Sequence, residues 1–211
     1  MTTELAKENT VERSGSVLID MANRFGIDKE VFYNTVKATC LPSNLKVSNE
    51  QFAAFLLVAR DYNLNPITKE IYAFPDKSGG IQPIVSIDGW LNMINSHPQM
   101  DGIEFEEIIN DGKIEAVKCS IYRKDRSKPA VVTEYLAECK RNTQPWQQWP
   151  VRMLRHKAAI QCARVAFGFA GIMEPDEAER MVDPVKPVAS DMNKIIEAEE
   201  HIEVASEDNT G

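Results

Sequence analysis

Residues 149–165 read WPVRMLRHKAAIQCARV and predict the longest helix in the second half of the chain. Its alanines and branched apolar residues make a good helix, and no acidic residue occurs between residues 140 and 171. On a helical projection the apolar side chains share one stripe, which predicts the buried face: Leu154, Ala158, Cys162 and Val165. Cationic side chains flank that stripe: Arg152, Arg155, His156, Lys157 and Arg164. We therefore expect the anionic partner of these cations to come from outside the helix.

The charge of the whole chain is distributed unevenly. The formal net charge is -8, from 24 basic and 32 acidic residues. Residues 113–164 nevertheless contain twelve Lys or Arg and four acids, whereas residues 184–211 contain two Lys and seven acids. A basic middle indicates an anionic ligand there, although a solvated helix face is the alternative interpretation.

The length and composition of the chain predict one main domain between two tails. The chain of 211 residues has 43% apolar and 27% charged residues, as soluble globular proteins do. We expect a flexible N-terminus at 1–14, a core at 15–183 and an acidic, flexible tail at 184–211. The sequence shows neither a long apolar run nor a secretory leader, which favours an intracellular protein with no membrane partner. The cysteines are far apart and predict reduced, mostly buried thiols with no disulfide or zinc: Cys40, Cys119, Cys139 and Cys162.

The hydrophobic periodicity changes along the chain and predicts an α+β fold. Residues 17–26 and 28–40 have helical spacing, and Ser48 with Gln51 resembles a capping box before a third helix. Two short strands joined at residues 76–80 predict a hairpin, and a helix follows at residues 87–95. The alternating segments GIEFEEII, KIEAVKCSIYR and AVVTEYLAE predict an antiparallel meander. EPDEAERMV, after the long helix, predicts one more short helix.

Two tryptophans precede the long helix. Trp146 and Trp149 place aromatic rings beside its cations, a combination that suits single-stranded nucleic acid, since bases stack on rings and phosphates pair with cations.

Several long motifs resemble those of the Red beta and RecT family of phage single-strand annealing proteins. They are NLNPITKEIYAFPDKSGGIQPIVSIDGW, IYRKDR, PVRMLRHKAAIQCARVAFGFAGI and DEAER, in that order, and the resemblance runs from Gln51 to Val182. It implies a cofactor-free, ATP-independent recombination protein that is not an enzyme. Such proteins bind single-stranded DNA, pair complementary strands, hold the nascent duplex and assemble into rings or helical filaments.

The resemblance also implies a fold, partners and a site. The hairpin and long basic helix would line a positively charged DNA groove, and the protein would work in the cytoplasm of a bacterial host, encoded by a phage or prophage. Partners would include a companion 5′-to-3′ exonuclease and the host single-strand binding protein. The family's type member engages those partners through a longer helical C-terminal domain, whereas a short acidic tail follows Val182 here, so the partners are less expected. The cations in matching motifs are Lys69, Lys77, Lys124, Arg126, Arg152, Arg155, Lys157 and Arg164. The aromatic pattern described above, rather than the resemblance, adds Trp146 as a stacking residue. Val151 stands where the type member has lysine and is left out.

Other functions remain open at this point. Glu104 and Glu106 share one strand face, beside Glu107, and would suit a metal-dependent nuclease. A basic protein-interaction module is the other alternative. A sequence-specific regulator is disfavoured, because a strand and a polar loop precede the basic helix. An ATPase is disfavoured, because no GK[ST] follows the glycines at 79–80.

Overall fold

The computed structural model describes residues 17–43, 46–76 and 79–182. Helices and antiparallel strands in two small sheets make it an α+β protein, which confirms the predicted class. The expected tails at 1–14 and 184–211 lie outside the described residues. No helix in the described ranges is long and apolar enough to cross a bilayer.

Three helices form the N-terminal layer: α1 at residues 17–24, α2 at Lys29–Cys40 and α3 at Asn49–Asp61. The Asp28 carboxylate begins α2 by accepting bonds from the amides of Glu30 and Val31. The predicted capping box of Ser48 and Gln51 is present at α3. Their apolar faces pack on a hairpin of β1 at Ile71–Pro75 and β2 at Ile81–Val85.

Helix α4, Ile87–Ser96, follows the hairpin and lies against it. Ser86 caps α4 through a bond from the Gly89 amide. Gly89 has no space for a side chain, because an added Cβ would overlap the carbonyl oxygen of Glu70 and lie 2.7 Å from Cγ1 of Val85. The close approach fixes α4 on the backbone that enters β1.

The second sheet is the predicted meander. Strands β3 at Met100–Asn110, β4 at Lys113–Arg123 and β5 at Ala130–Tyr135 are antiparallel in that order. Asp111 and Gly112, both with positive φ, form the two-residue turn between β3 and β4. The third segment is a strand only as far as Tyr135, after which the short helices α5 (Leu136–Cys139) and α6 (Gln144–Gln148) follow.

The predicted long helix is α7, Pro150–Phe167, and it belongs to two cores. Ile160 packs with the N-terminal helices and the hairpin, whereas Leu154, Ala158 and Cys162 pack against the second sheet. Because α7 is covered on two sides, its buried arc is wider than a single stripe. The prediction that Val165 is buried was wrong, since its side chain is 61% exposed.

The chain reverses after α7, at Gly168 with φ +75°, and continues into α8, Pro175–Val182. The predicted short helix is confirmed. All four cysteines are free and buried, as expected.

Candidate nucleic-acid interface

A cleft opens beside α7 because the helix packs mainly on β4 and β5 and leaves part of β3 uncovered. Its floor is the β3 face that points toward α7, and its walls are α4 and the junction of α6 and α7. We call it the α7 cleft; its volume is about 610 Å³. Its lining residues are Ile87, Leu91, Phe105, Glu107, Gln148, Trp149, Pro150, Val151, Arg152, Arg155, His156 and Ala159.

Arg152 and Arg155 are exposed on neighbouring positions of α7 and both line the cleft. Arg155 is held across it by Glu107, with 2.6 Å between its guanidinium nitrogen and the carboxylate oxygen. The Arg152 guanidinium lies 5.2 Å from the ring centroid of Trp149. No carboxylate of the described residues pairs with Arg152, so this cation is available to an anionic ligand.

His156 is half-buried on the same turn of α7. Burial lowers its pKa below the usual value, and the neighbouring Arg152 charge lowers it further, while Asp88 opposes the shift. The direction of the shift favours the neutral imidazole in the free cleft.

Lys157 and Trp146 lie in the interior, contrary to the prediction of an exposed cationic stripe and a stacking ring. The Lys157 ammonium pairs with the Glu174 carboxylate and lies 3.4 Å from a carboxylate oxygen of Asp176. The Lys157 side chain is 7% exposed. Trp146 is fully buried and its indole Nε1 donates to Asp176 at 3.0 Å. Neither side chain is accessible to DNA in this structure.

Arg164 is also engaged within the protein. Its guanidinium pairs with Glu177 at 2.6 Å, donates to the Ile172 carbonyl at 3.1 Å and lies over the ring of Trp90. The anionic partner expected from outside α7 is thus partly internal, since residues 174–177 supply carboxylates to both Lys157 and Arg164. A helical projection could not show this, because those acids follow in a separate element.

The other predicted cations occupy different surfaces. Lys69 is exposed, with φ +61°, and lines a neighbouring cleft of about 620 Å³ beside the hairpin. The first turn of α4 separates the two clefts, since Ile87 lines the α7 cleft and Asp88 lines the other. Lys124 and Arg126 are exposed in the turn after β4 and line neither cleft. Lys77 lies outside the described residues. Among the predicted residues that the structure describes, only Arg152 and Arg155 therefore lie together in the α7 cleft.

The carboxylates considered for a nuclease have partners on β4. Glu104 accepts a bond from the Tyr122 hydroxyl at 2.9 Å, and Glu106 pairs with Lys118. Within the described ranges, no group of three or more His, Cys, Asp or Glu side chains has an arrangement that could hold a metal ion.

The sequence prediction missed two apolar residues of the cleft, Phe105 and Leu91, and took Trp146 rather than Trp149 as the exposed ring. Alternation along β3 places Phe105 on the face toward the core, but only the packing of α7 shows that this part of the face stays open. Val151, set aside because it is not lysine, lines the cleft as an apolar side chain.

Comparison with known proteins agrees with the resemblance. A model of the RecT family matches residues 32–189, a range that includes the hairpin, the second sheet and all of α7. The chain is 49% identical over 176 residues to Recombination protein bet of Escherichia phage lambda. That match covers 77% of this chain and 65% of the phage protein, so the chain spans about two thirds of the length of its relative. The chain therefore belongs to the RecT family.

Proposed function

We propose that this protein is an ATP-independent single-strand DNA annealing protein of homologous recombination. Its family membership and its identity to a phage recombination protein support this function. The structural observation that carries the proposal is Arg152, an exposed cation without a carboxylate partner among the described residues, beside the exposed ring of Trp149.

Phosphate contact is the chemistry that the cleft supplies. Arg152 binds the backbone directly, and Arg155 contributes by exchanging its exposed bond to Glu107 for one to a phosphate. Lys69 extends the contacts into the neighbouring cleft. Neutralising phosphates on two strands lowers their mutual repulsion and releases counterions, after which base pairing itself drives annealing. No covalent bond is made or broken, so the proposal needs no enzyme activity, ATP or other cofactor.

Lys157, Arg164 and Trp146 act indirectly in this proposal. Their bonds to Glu174, Asp176 and Glu177 hold the segment after α7 against the helix. They position the element that carries Arg152 and Arg155 rather than contacting DNA.

Assembly and partners are part of the same proposal. One cleft of this size spans only a few nucleotides, so stable annealing requires subunits side by side in a ring or helical filament. The nascent duplex would be held in that filament, in the cytoplasm of a bacterial host. A companion 5′-to-3′ exonuclease and the host single-strand binding protein remain candidate partners.

Salt dependence of single-strand binding tests the proposal. Affinity for a fluorescent oligothymidylate, measured by anisotropy, should fall steeply with salt, and Arg152→Ala should reduce the slope of log affinity against log salt by about 0.7. Arg60→Ala is the control, since Arg60 lies on α3 and pairs with Asp61. Absence of binding, or a slope unchanged by Arg152→Ala, would contradict the proposed site.

A further inference from the structure

We propose that Trp149 and Phe105 form a stacking subsite for an unpaired DNA base, with Arg152 placed to bind the adjoining phosphate. The inference rests on the proposed function and adds to it, because phosphate binding alone does not distinguish a single strand from a duplex. A ring that stacks on a base selects DNA whose bases are free.

The three tryptophans of the chain differ sharply in exposure. Trp90 and Trp146 are fully buried, whereas Trp149 is 48% exposed at the mouth of the α7 cleft. Its backbone is fixed, since the Trp149 amide donates to the Pro145 carbonyl and α7 begins at the next residue. The indole thus extends from a backbone that is held at the junction of two helices, which limits the entropic cost of binding.

A second aromatic ring, that of Phe105, enters the same cleft from strand β3. Phe105 lies on β3 opposite Cys119, a residue of the core under α7, so its side chain points to the same face of the sheet. It is 38% exposed because α7 does not cover this part of β3. Glu107, two residues further on the same face, pairs with Arg155 across the cleft.

Charge complementarity argues for a nucleotide rather than an apolar ligand. Arg152 stands over the Trp149 ring, and Arg155 lies on the same wall, so cations adjoin the rings. An unpaired nucleotide offers an aromatic face and an anion at this spacing, which matches both parts of the cleft. The bases of a duplex have their faces covered by stacking and leave the rings without a partner.

The test compares two ligands with equal charge. Affinities of the full chain are measured for an oligothymidylate and for an abasic sugar-phosphate oligomer of equal length. Trp149→Ala and Phe105→Ala should each weaken oligothymidylate binding by about 5- to 100-fold and change abasic binding little. Trp149→Phe should retain most of the affinity. Tyr135→Ala, which removes an exposed ring outside the cleft, should change neither affinity.

Tryptophan emission gives a second readout. Oligothymidylate should quench the wild-type emission, the abasic oligomer should not, and the quenching should be absent in Trp149→Phe.

Each contrary outcome has a distinct meaning. Equal binding of both oligomers by the wild type, or equal losses for both in Trp149→Ala, would overturn the stacking subsite and leave phosphate binding intact. Binding of neither oligomer would overturn the proposed function and the subsite together. If the rings instead bind a second copy of the chain, Trp149→Ala would reduce oligomer size without DNA and leave the ratio of affinities unchanged, which also overturns the subsite.

Discussion

The Lys157 ammonium lies inside the protein, in contact with the carboxylates of Glu174 and Asp176. Burial raises the pKa of Glu174, and the charge of Lys157 opposes that shift. Removal of the lysine would leave the carboxylate of Glu174 buried without its cation, and the partly buried Asp176 would lose the same neighbour; this is more costly than the loss of an exposed charge. Substitution of Lys157 is therefore expected to lower the stability of the fold rather than to remove a DNA contact.

We predict that Lys157→Met lowers the free energy of unfolding by about 3–5 kcal/mol. Chemical denaturation monitored by circular dichroism measures it, with Lys128→Met as the control because Lys128 is exposed after β4. A variant as stable as the control would show that the buried pair does not contribute to the fold.

The lowered pKa of His156 predicts that the stability of the protein depends on pH. Burial and Arg152 hold its pKa below the usual value of about 6.5, so the unfolded chain takes up a proton at a higher pH than the folded chain does. Stability should consequently fall as the pH is lowered from about 6.5 toward the folded-state pKa. Melting temperatures measured across that range should fall less in His156→Gln than in the wild type. His97, whose pKa is also lowered, will leave a residual dependence; identical curves for both proteins would contradict the assignment.

At the scale of elements, the contact between α4 and the hairpin depends on one absent side chain. Gly89 lies against the Glu70 carbonyl and Val85, with no space for a methyl group. We predict that Gly89→Ala lowers stability by about 1–3 kcal/mol, because α4 must move away from the hairpin. Gly102→Ala is the matched control, since its added Cβ would meet nothing closer than 3.9 Å. Equal melting temperatures in the two variants would show that α4 adapts freely.

The elements could be predicted from sequence because their signals are local. The capping box at Ser48, the turn near Gly79 and the alternation of β4 depend on residues a few positions apart. Which tryptophan faces solvent depends on distant residues, because Trp146 packs in the core beneath α7 and its indole donates to Asp176, thirty residues later. The segment that contains Asp176 also supplies the carboxylates that pair with Lys157. The sequence therefore indicated a basic helix with aromatic neighbours, and only the packing of distant elements showed which of its residues form an open cleft.

At the scale of the whole molecule, α7 links two cores and borders the α7 cleft. The N-terminal helices and hairpin hold one side of it, and the second sheet holds the other. Arg152 and Arg155 thus extend from a helix that is fixed over most of its length. A rigid arrangement suits repeated phosphate contact along a strand, because little conformational entropy is lost when the strand binds.

The central claim is tested most directly by the rate at which complementary oligonucleotides anneal without any nucleotide triphosphate. The wild-type protein should accelerate annealing, and Arg152→Ala with Arg155→Ala should reduce the acceleration at least about tenfold while leaving the melting temperature nearly unchanged, since both side chains are exposed. Arg60→Ala should anneal like the wild type. A requirement for ATP in the wild type, or full annealing by the folded double variant, would contradict the account.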